Sequence, residues 1–193
     1  ANTEGFMVVT PQGTDRTPGV PFWNASPITD GVVDDTAFVH ELLDTLEADT
    51  CIDLDRIYST GMSNGGFMSS HLACAMPNRI AAIASVTGIT WPNNCADDRP
   101  VPVLHFHGTD DGVVRFDDIP DRVDAWGLAN GCTVPNVDIA VSDEVEYRVY
   151  DCAPGAAVKF YIVGGGGHTW PGTPLTEALA ALLGYTTEDI DAT

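Results

Sequence analysis

Two hydrophobic patterns alternate along this chain. Short apolar runs occur at Phe6 to Thr10, Ile80 to Val86, Val101 to Phe106 and Val158 to Val163, the second and third nearly unbroken, with further strand-like runs at Arg56 to Thr60 and Glu144 to Tyr150. Continuous runs of this length predict strands covered on both faces, as in a parallel sheet packed between helices. The first of them is ended by Pro11. Between the runs lie segments of helical spacing. Asp34 is placed to cap a helix from Thr36 to Ala48, in which Phe38, Val39, Leu42, Leu43 and Leu46 share a face. Phe67 to Ala75 predicts a largely buried helix stopped by Pro77, Asp117 to Asn130 a third, and Pro174 to Leu183 a last one ended by Gly184. Gln12 to Ile28, rich in Gly, Pro and Thr, predicts a long loop, and Thr186 to Thr193 a polar tail that frays. Strands and helices alternate without a repeat or a composition boundary, so the expectation is one α/β domain over residues 1–193.

Charge narrows the choice of partner. With 28 acidic residues against 8 basic ones the net charge is −20, and Lys159 is the only lysine. Such a surface repels phosphates, so neither nucleic acid nor an anionic membrane is an expected partner. No run of apolar residues is long enough for a transmembrane helix. The composition does not bear on oligomeric state.

The five cysteines stand at positions 51, 74, 95, 132 and 152, with no Cys-x-x-Cys pair and no Cys/His cluster at zinc spacing, so no metal and no cofactor is expected. Cys132 follows an Asn-Gly turn and Cys152 ends a strand-like segment, which suits a disulfide and leaves one odd thiol among Cys51, Cys74 and Cys95. The alternative is five free thiols in a reducing compartment.

Candidate chemistry begins at Gly61-Met62-Ser63-Asn64-Gly65, a G-x-S-x-G sequence between a strand and a helix. A serine on such a turn is thrust out of the sheet, and glycine on either side lets the backbones approach, which makes Ser63 the candidate nucleophile. Asn64 would open the following helix, where its backbone N–H points at a developing oxyanion. A serine hydroxyl needs a base, and the base needs a carboxylate. Of five histidines, His40 and His71 fall within helices, His105 in a strand, and His107 at a strand end where structural hydrogen bonds are expected. His168 differs, because four glycines carry it out of the strand Val158 to Val163. Between Ser63 and His168, the strand ending at Gly108 delivers two aspartates, Asp110 and Asp111, one of which should orient the imidazole. Asp110-Asp111-Gly112 does not fit a calcium loop. Trp91 and Trp170 lie close in sequence to these positions and are candidates for stacking on substrate, with ordinary packing as the alternative. Asn24-Ala25-Ser26 matches a glycosylation sequon but is followed by Pro27.

Three segments together, Gly61-Met62-Ser63-Asn64-Gly65-Gly66, His107-Gly108-Thr109-x-Asp111 and Gly167-His168-Thr169-Trp170-Pro171-Gly172, resemble the secreted serine esterases that include poly(3-hydroxybutyrate) depolymerases and feruloyl or acetyl-xylan esterases. Gly5 to Val9, Trp23-Asn24 and Asp34-Asp35 extend the resemblance along the chain. It implies an α/β-hydrolase fold with a mostly parallel sheet flanked by helices. It also implies a Ser63, Asp111 and His168 triad, a Cys132 to Cys152 bridge, an extracellular setting, and an ester substrate that is a polymer or its oligomers. In that family, further strands and a His-Gly loop with the second oxyanion donor precede the segment resembling Gly5 to Val9, and a helix follows the one resembling Asp189 to Thr193. The chain is accordingly expected to be truncated at both ends and to lack that donor. The rival expectation is a non-catalytic polymer- or carbohydrate-binding protein on the same fold; a peptidase would share the triad.

Overall fold

The computed structural model describes residues 5–25, 33–93, 95, 99–133 and 138–192. A six-stranded sheet forms its centre, in the order β3-β4-β5-β8-β7-β6. β3 (Tyr58–Met62), β4 (Ala82–Val86), β5 (Val103–Gly108) and β8 (Val158–Val163) run parallel, whereas β7 (Val145–Val149) is antiparallel to β8, and β6 (Asp138–Ala140) to β7. Of the four parallel strands, β4, β5 and β8 are those that the apolar runs predict, and β3 overlaps the strand-like run Arg56 to Thr60. Val86, Val103, Val158 and Phe160 are each at most 2% exposed, as burial on both faces requires.

α1 (Asp35–Asp49) begins as expected at Asp34, whose carboxylate accepts the Ala37 N–H at 2.9 Å. Val39 and Leu43 enter the core, while Phe38 stays largely exposed and stacks on Trp23. α2 (Asn64–Ala75) packs on β3 and β4, and is buried along most of its length because the sheet takes one side and the core the other. α3 (Ile119–Ala129) lies against β5 and β8 through Ile119, Val123 and Trp126. α4 (Glu177–Leu183) ends at Gly184, with φ 92°, and buries none of its residues.

Four expectations are corrected. Phe6 to Thr10 is not a strand: Phe6, Met7 and Val8 are more than half exposed, and no described strand lies beside them to supply hydrogen bonds. The loop from Gln12 contains a hairpin of β1 (Thr14–Thr17) and β2 (Val20–Phe22), which Pro18-Gly19 allows by placing a φ of 79° on glycine; residues 26–32 lie outside the described residues. β6 has no counterpart in the apolar pattern. The tail does not fray where described: Thr187 is fully buried, and its carbonyl accepts the Gly172 N–H at 2.9 Å.

The expected Cys132–Cys152 disulfide is formed, and joins the end of α3 to the end of β7. A second, Cys74–Cys95, fastens α2 to the segment after β4 and leaves Cys51 as an exposed thiol. No helix among the described residues is long and apolar enough to cross a membrane.

Candidate active site

β3, β4, β5 and β8 are neighbours and parallel, so their C-terminal ends form one edge of the sheet, and every predicted site residue lies on a loop or helix that leaves it. Ser63 follows β3 and caps α2 with φ 53° and ψ −117°, a left-handed conformation that a non-glycine residue adopts only under constraint. The constraint is visible. The Ser63 N–H donates to Val86 O at 2.8 Å, and a Cβ on Gly61 would sit 2.5 Å from Gly65 C. On Gly88 a Cβ would meet the Ser63 carbonyl oxygen. The side chain of Ser63 makes no capping hydrogen bond.

Asn64 is the first residue of α2, so its N–H has no acceptor within the helix. Its amide side chain is held by the Trp23 backbone, accepting from the N–H at 2.7 Å and donating to the carbonyl at 3.0 Å. Asn24, next to Trp23, is buried and donates its Nδ2 to Val33 O at 2.9 Å, which ties up the amide that a glycan would need.

The two aspartates differ in their contacts with the histidine loop. Asp110 is exposed, and it is its backbone N–H that engages the histidine loop, through Gly166 O at 2.9 Å. Asp111 is 4% exposed. Its Oδ1 accepts the N–H groups of Val113 and Val114, each at 2.8 Å, and its Oδ2 lies 2.8 Å from His168 Nδ1. A carboxylate there makes Nδ1 the donor and leaves the lone pair on Nε2. Asp111 and His168 are thus brought together from the exits of β5 and β8, while Ser63 stands at the exit of β3 on the same edge.

The loop bearing His168 is fixed by the end of α4 and the residues just after it. His168 N–H donates to Leu183 O at 2.6 Å, Gly167 N–H to Tyr185 O at 2.8 Å, and Thr169 Oγ1 to Tyr185 O at 3.1 Å. Thr187 and Tyr185 donate in turn to the Glu144 carboxylate at 2.5 and 2.7 Å. Trp170 is half-buried, with an indole N–H that finds no partner among the described residues, and Trp91 is 40% exposed beyond β4. Thr87, at the exit of β4, shares both oddities of the site: φ is 48°, and its buried hydroxyl is unpartnered among the described residues.

Sequence reasoning passes over a chain of polar groups behind Asp111. Ser85 Oγ lies 2.8 Å from His105 Nδ1, His105 Nε2 lies 3.1 Å from His107 Nδ1, and His107 Nε2 lies 2.8 Å from Val114 O and 3.4 Å from Asp111 Oδ2. Burial holds both imidazoles below their ordinary pKa, His105 well below it, and His107 further disfavours charge on His105 as His168 does on His107. The sequence does carry a signal for this chain. His105 and His107 fall two apart on one face of a strand that is otherwise apolar, where buried polar groups have to satisfy one another. Among the described residues no group of three His, Cys, Asp or Glu side chains could hold a metal ion.

The chain is similar to known proteins in sequence and in fold. Over 137 residues the chain is 33% identical to feruloyl esterase D of Neurospora crassa, which covers 68% of this chain and 47% of that protein. It is likewise 33% identical over 119 residues to a bifunctional acetylxylan esterase/xylanase of Neocallimastix patriciarum, covering 62% of this chain and 16% of that one. The chain therefore spans less than half the length of these relatives. An acetyl xylan esterase from Aspergillus awamori superposes with a TM-score of 0.54 at 14% identity, over 77% of this chain and 66% of that one. No protein-family model matches. The fold is that of an α/β-hydrolase, with a mostly parallel sheet flanked by helices, as the sequence motifs imply. Within that class the chain's sequence relatives are feruloyl and acetylxylan esterases, the group its motifs resemble; a depolymerase is not among the relatives described here.

Proposed function

We propose that the protein is a serine esterase, in which Ser63 Oγ attacks an ester carbonyl, His168 Nε2 takes its proton, and Asp111 fixes and stabilises the imidazolium. The observation that carries this reading is the 2.8 Å contact from His168 Nδ1 to a buried, doubly anchored Asp111, on the sheet edge that also presents a strained serine at a helix N-terminus. As the Oγ–C bond forms, negative charge on the carbonyl oxygen is met by the Asn64 N–H and the start of α2. Collapse breaks the C–O bond to the alcohol, which leaves with the proton from His168. Water, deprotonated by the same imidazole, then releases the acid and restores Ser63.

The relatives' names support a feruloyl or acetyl-xylan ester as substrate, and the motif resemblance adds the polyester poly(3-hydroxybutyrate) as the other polymer of that chemistry. Trp91 and Trp170 would stack against the acyl or phenolic group. Two disulfides suit an oxidising, extracellular setting.

The test is p-nitrophenyl butyrate and methyl ferulate hydrolysis by the full-length protein beside its Ser63→Ala variant. Wild type should turn over and react once with a fluorophosphonate, and Ser63→Ala should lose kcat by at least about 10,000-fold and stay unlabelled. An inert wild type whose Ser63 is not labelled would leave a binding protein on a hydrolase fold as the reading.

A further inference from the structure

The hydrogen bonds behind Asp111 admit one arrangement of protons. Val114 O can only accept, so His107 carries its proton on Nε2, 2.8 Å away. A neutral ring then has a lone pair on Nδ1, so the 3.1 Å contact with His105 has to be donated by His105 Nε2–H. His105 Nδ1 is left as an acceptor, and Ser85 Oγ–H supplies the proton at 2.8 Å. Both rings are fully used. They are at most 1% exposed, with Phe160 and Phe116 against their faces, so water offers no competing partner. The charged or titratable groups nearest the pair are Asp111, His168 and, from α3, Arg122, which opposes a positive ring.

The far end of this chain is the turn that holds the acid. Val114 presents its N–H to Asp111 Oδ1 while its carbonyl is held by His107, and the neighbouring Val113 N–H takes the same oxygen. Asp111 Oδ1 is therefore occupied and Oδ2 alone is free for His168, with the His107 Nε2–H facing that oxygen at 3.4 Å.

We infer that His107 is the positioning residue for Asp111: locked as the Nε2–H tautomer by Ser85 and His105, it clamps the Val113-Val114 turn so that Asp111 offers Oδ2, at one place, to His168. This role rests on the esterase reading. A carboxylate displaced by about 1 Å costs about 100-fold in rate, and the cost should fall on the chemical step because His107, only 1% exposed, is buried away from the surface a substrate would meet.

Two measurements test it. In the wild-type full-length protein, 15N NMR of the histidine side chains should show His105 and His107 neutral and protonated on Nε2 throughout pH 6 to 9. A proton on Nδ1 of either ring, or titration of either in that range, overturns the inference even where the enzyme is active. In p-nitrophenyl butyrate hydrolysis, with enzyme counted by fluorophosphonate titration, His107→Phe should lower kcat by about 10- to 100-fold with KM within about twofold. His107→Gln, which keeps an N–H near the Nε2 position, should recover most of the loss. Equal kcat per titrated site in wild type and His107→Phe shows that the ring serves folding only and overturns the inference, as does a His107→Gln variant no better than His107→Phe. A wild type that neither turns over nor takes the probe removes the esterase reading itself, and that outcome is distinguished by the absence of any labelled serine.

Discussion

Gly108 decides how closely the loop of the acid approaches the loop of the base. A Cβ at this position would collide with the carbonyl oxygen of Gly166, the same oxygen that accepts the Asp110 N–H, and backbone cannot swing aside as a side chain can. Gly108→Ala should therefore force the two loops apart, lowering stability by about 1–3 kcal/mol and turnover by more than the unfolded fraction explains. Gly112→Ala, where an added methyl meets nothing within 4 Å, serves as the control and should melt as wild type does in paired thermal scans. Ser63, His168 and the pair Asp110/Asp111 stand out in the sequence because each follows a predicted strand within a few residues, so strand exits mark them without knowledge of tertiary contacts. Which aspartate meets His168 is not legible from the residues alone. It depends on the turn to Val114, which presents two N–H groups to Asp111 and leaves Asp110 outside. His105 and His107 are read as structural, and the property that gives them more to do, register with Ser85 across β4, is a contact between strands.

At the scale of elements, the edge strand β6 shows why some of the fold escapes the hydrophobic pattern. Asp138-Ile139-Ala140 buries little, and what holds it is Arg148 of β7, which meets Asp138 through Nε at 2.7 Å and Nη2 at 2.9 Å, and Asp124 of α3 through Nη1 at 3.5 Å. Tyr150 donates its hydroxyl to the same Asp124 at 2.5 Å, so β6, β7 and α3 meet at one cation. Arg148→Met would leave two partly buried carboxylates without it and should cost about 1–2 kcal/mol at neutral pH, discounted for their partial exposure. The pH dependence has a definite sign. The Arg148 hydrogen bond, opposed by burial, holds Asp138 below the usual carboxylate range. Its stabilisation is complete above the unfolded value near ~4 and is lost as pH falls through the lower folded value. Urea titrations should therefore show a wild-type advantage that is constant above about pH 5 and shrinks in acid; an advantage that grows in acid contradicts the assignment. β4, β5 and β8 needed no such partner to be legible, since their apolar runs are nearly continuous. Phe6 to Thr10 has an equally good run and forms no strand, because an apolar run becomes a strand only where another strand lies beside it.

For the molecule as a whole, charge is the feature least used by the fold. Even if every one of the 8 basic residues matched one carboxylate, 20 of the 28 acidic residues would remain unmatched. Several arginines are already engaged, Arg79 with Asp44 and Glu47, Arg122 with Asp118, and Arg148 with Asp138, so few cations are left to offset the remaining carboxylates. Compaction brings these charges together, and the folded state bears more of the repulsion than the extended chain does. Salt screens both the few attractions and the many repulsions, and the imbalance decides the sign: the chain should become more stable as salt is added. The screening length falls from about 30 Å at 0.01 M to about 10 Å at 0.1 M and about 3 Å at 1 M, so most of the gain should come below about 0.2 M. A rise in Tm of a few degrees, corresponding to roughly 1 kcal/mol for a chain of this size, is expected between 10 and 200 mM NaCl at neutral pH. A sulfate series at matched ionic strength separates screening from exclusion of salt from the surface, because screening depends on ionic strength alone at these concentrations. A Tm that falls over the same range would mean that the arginine pairs outweigh the unmatched carboxylates.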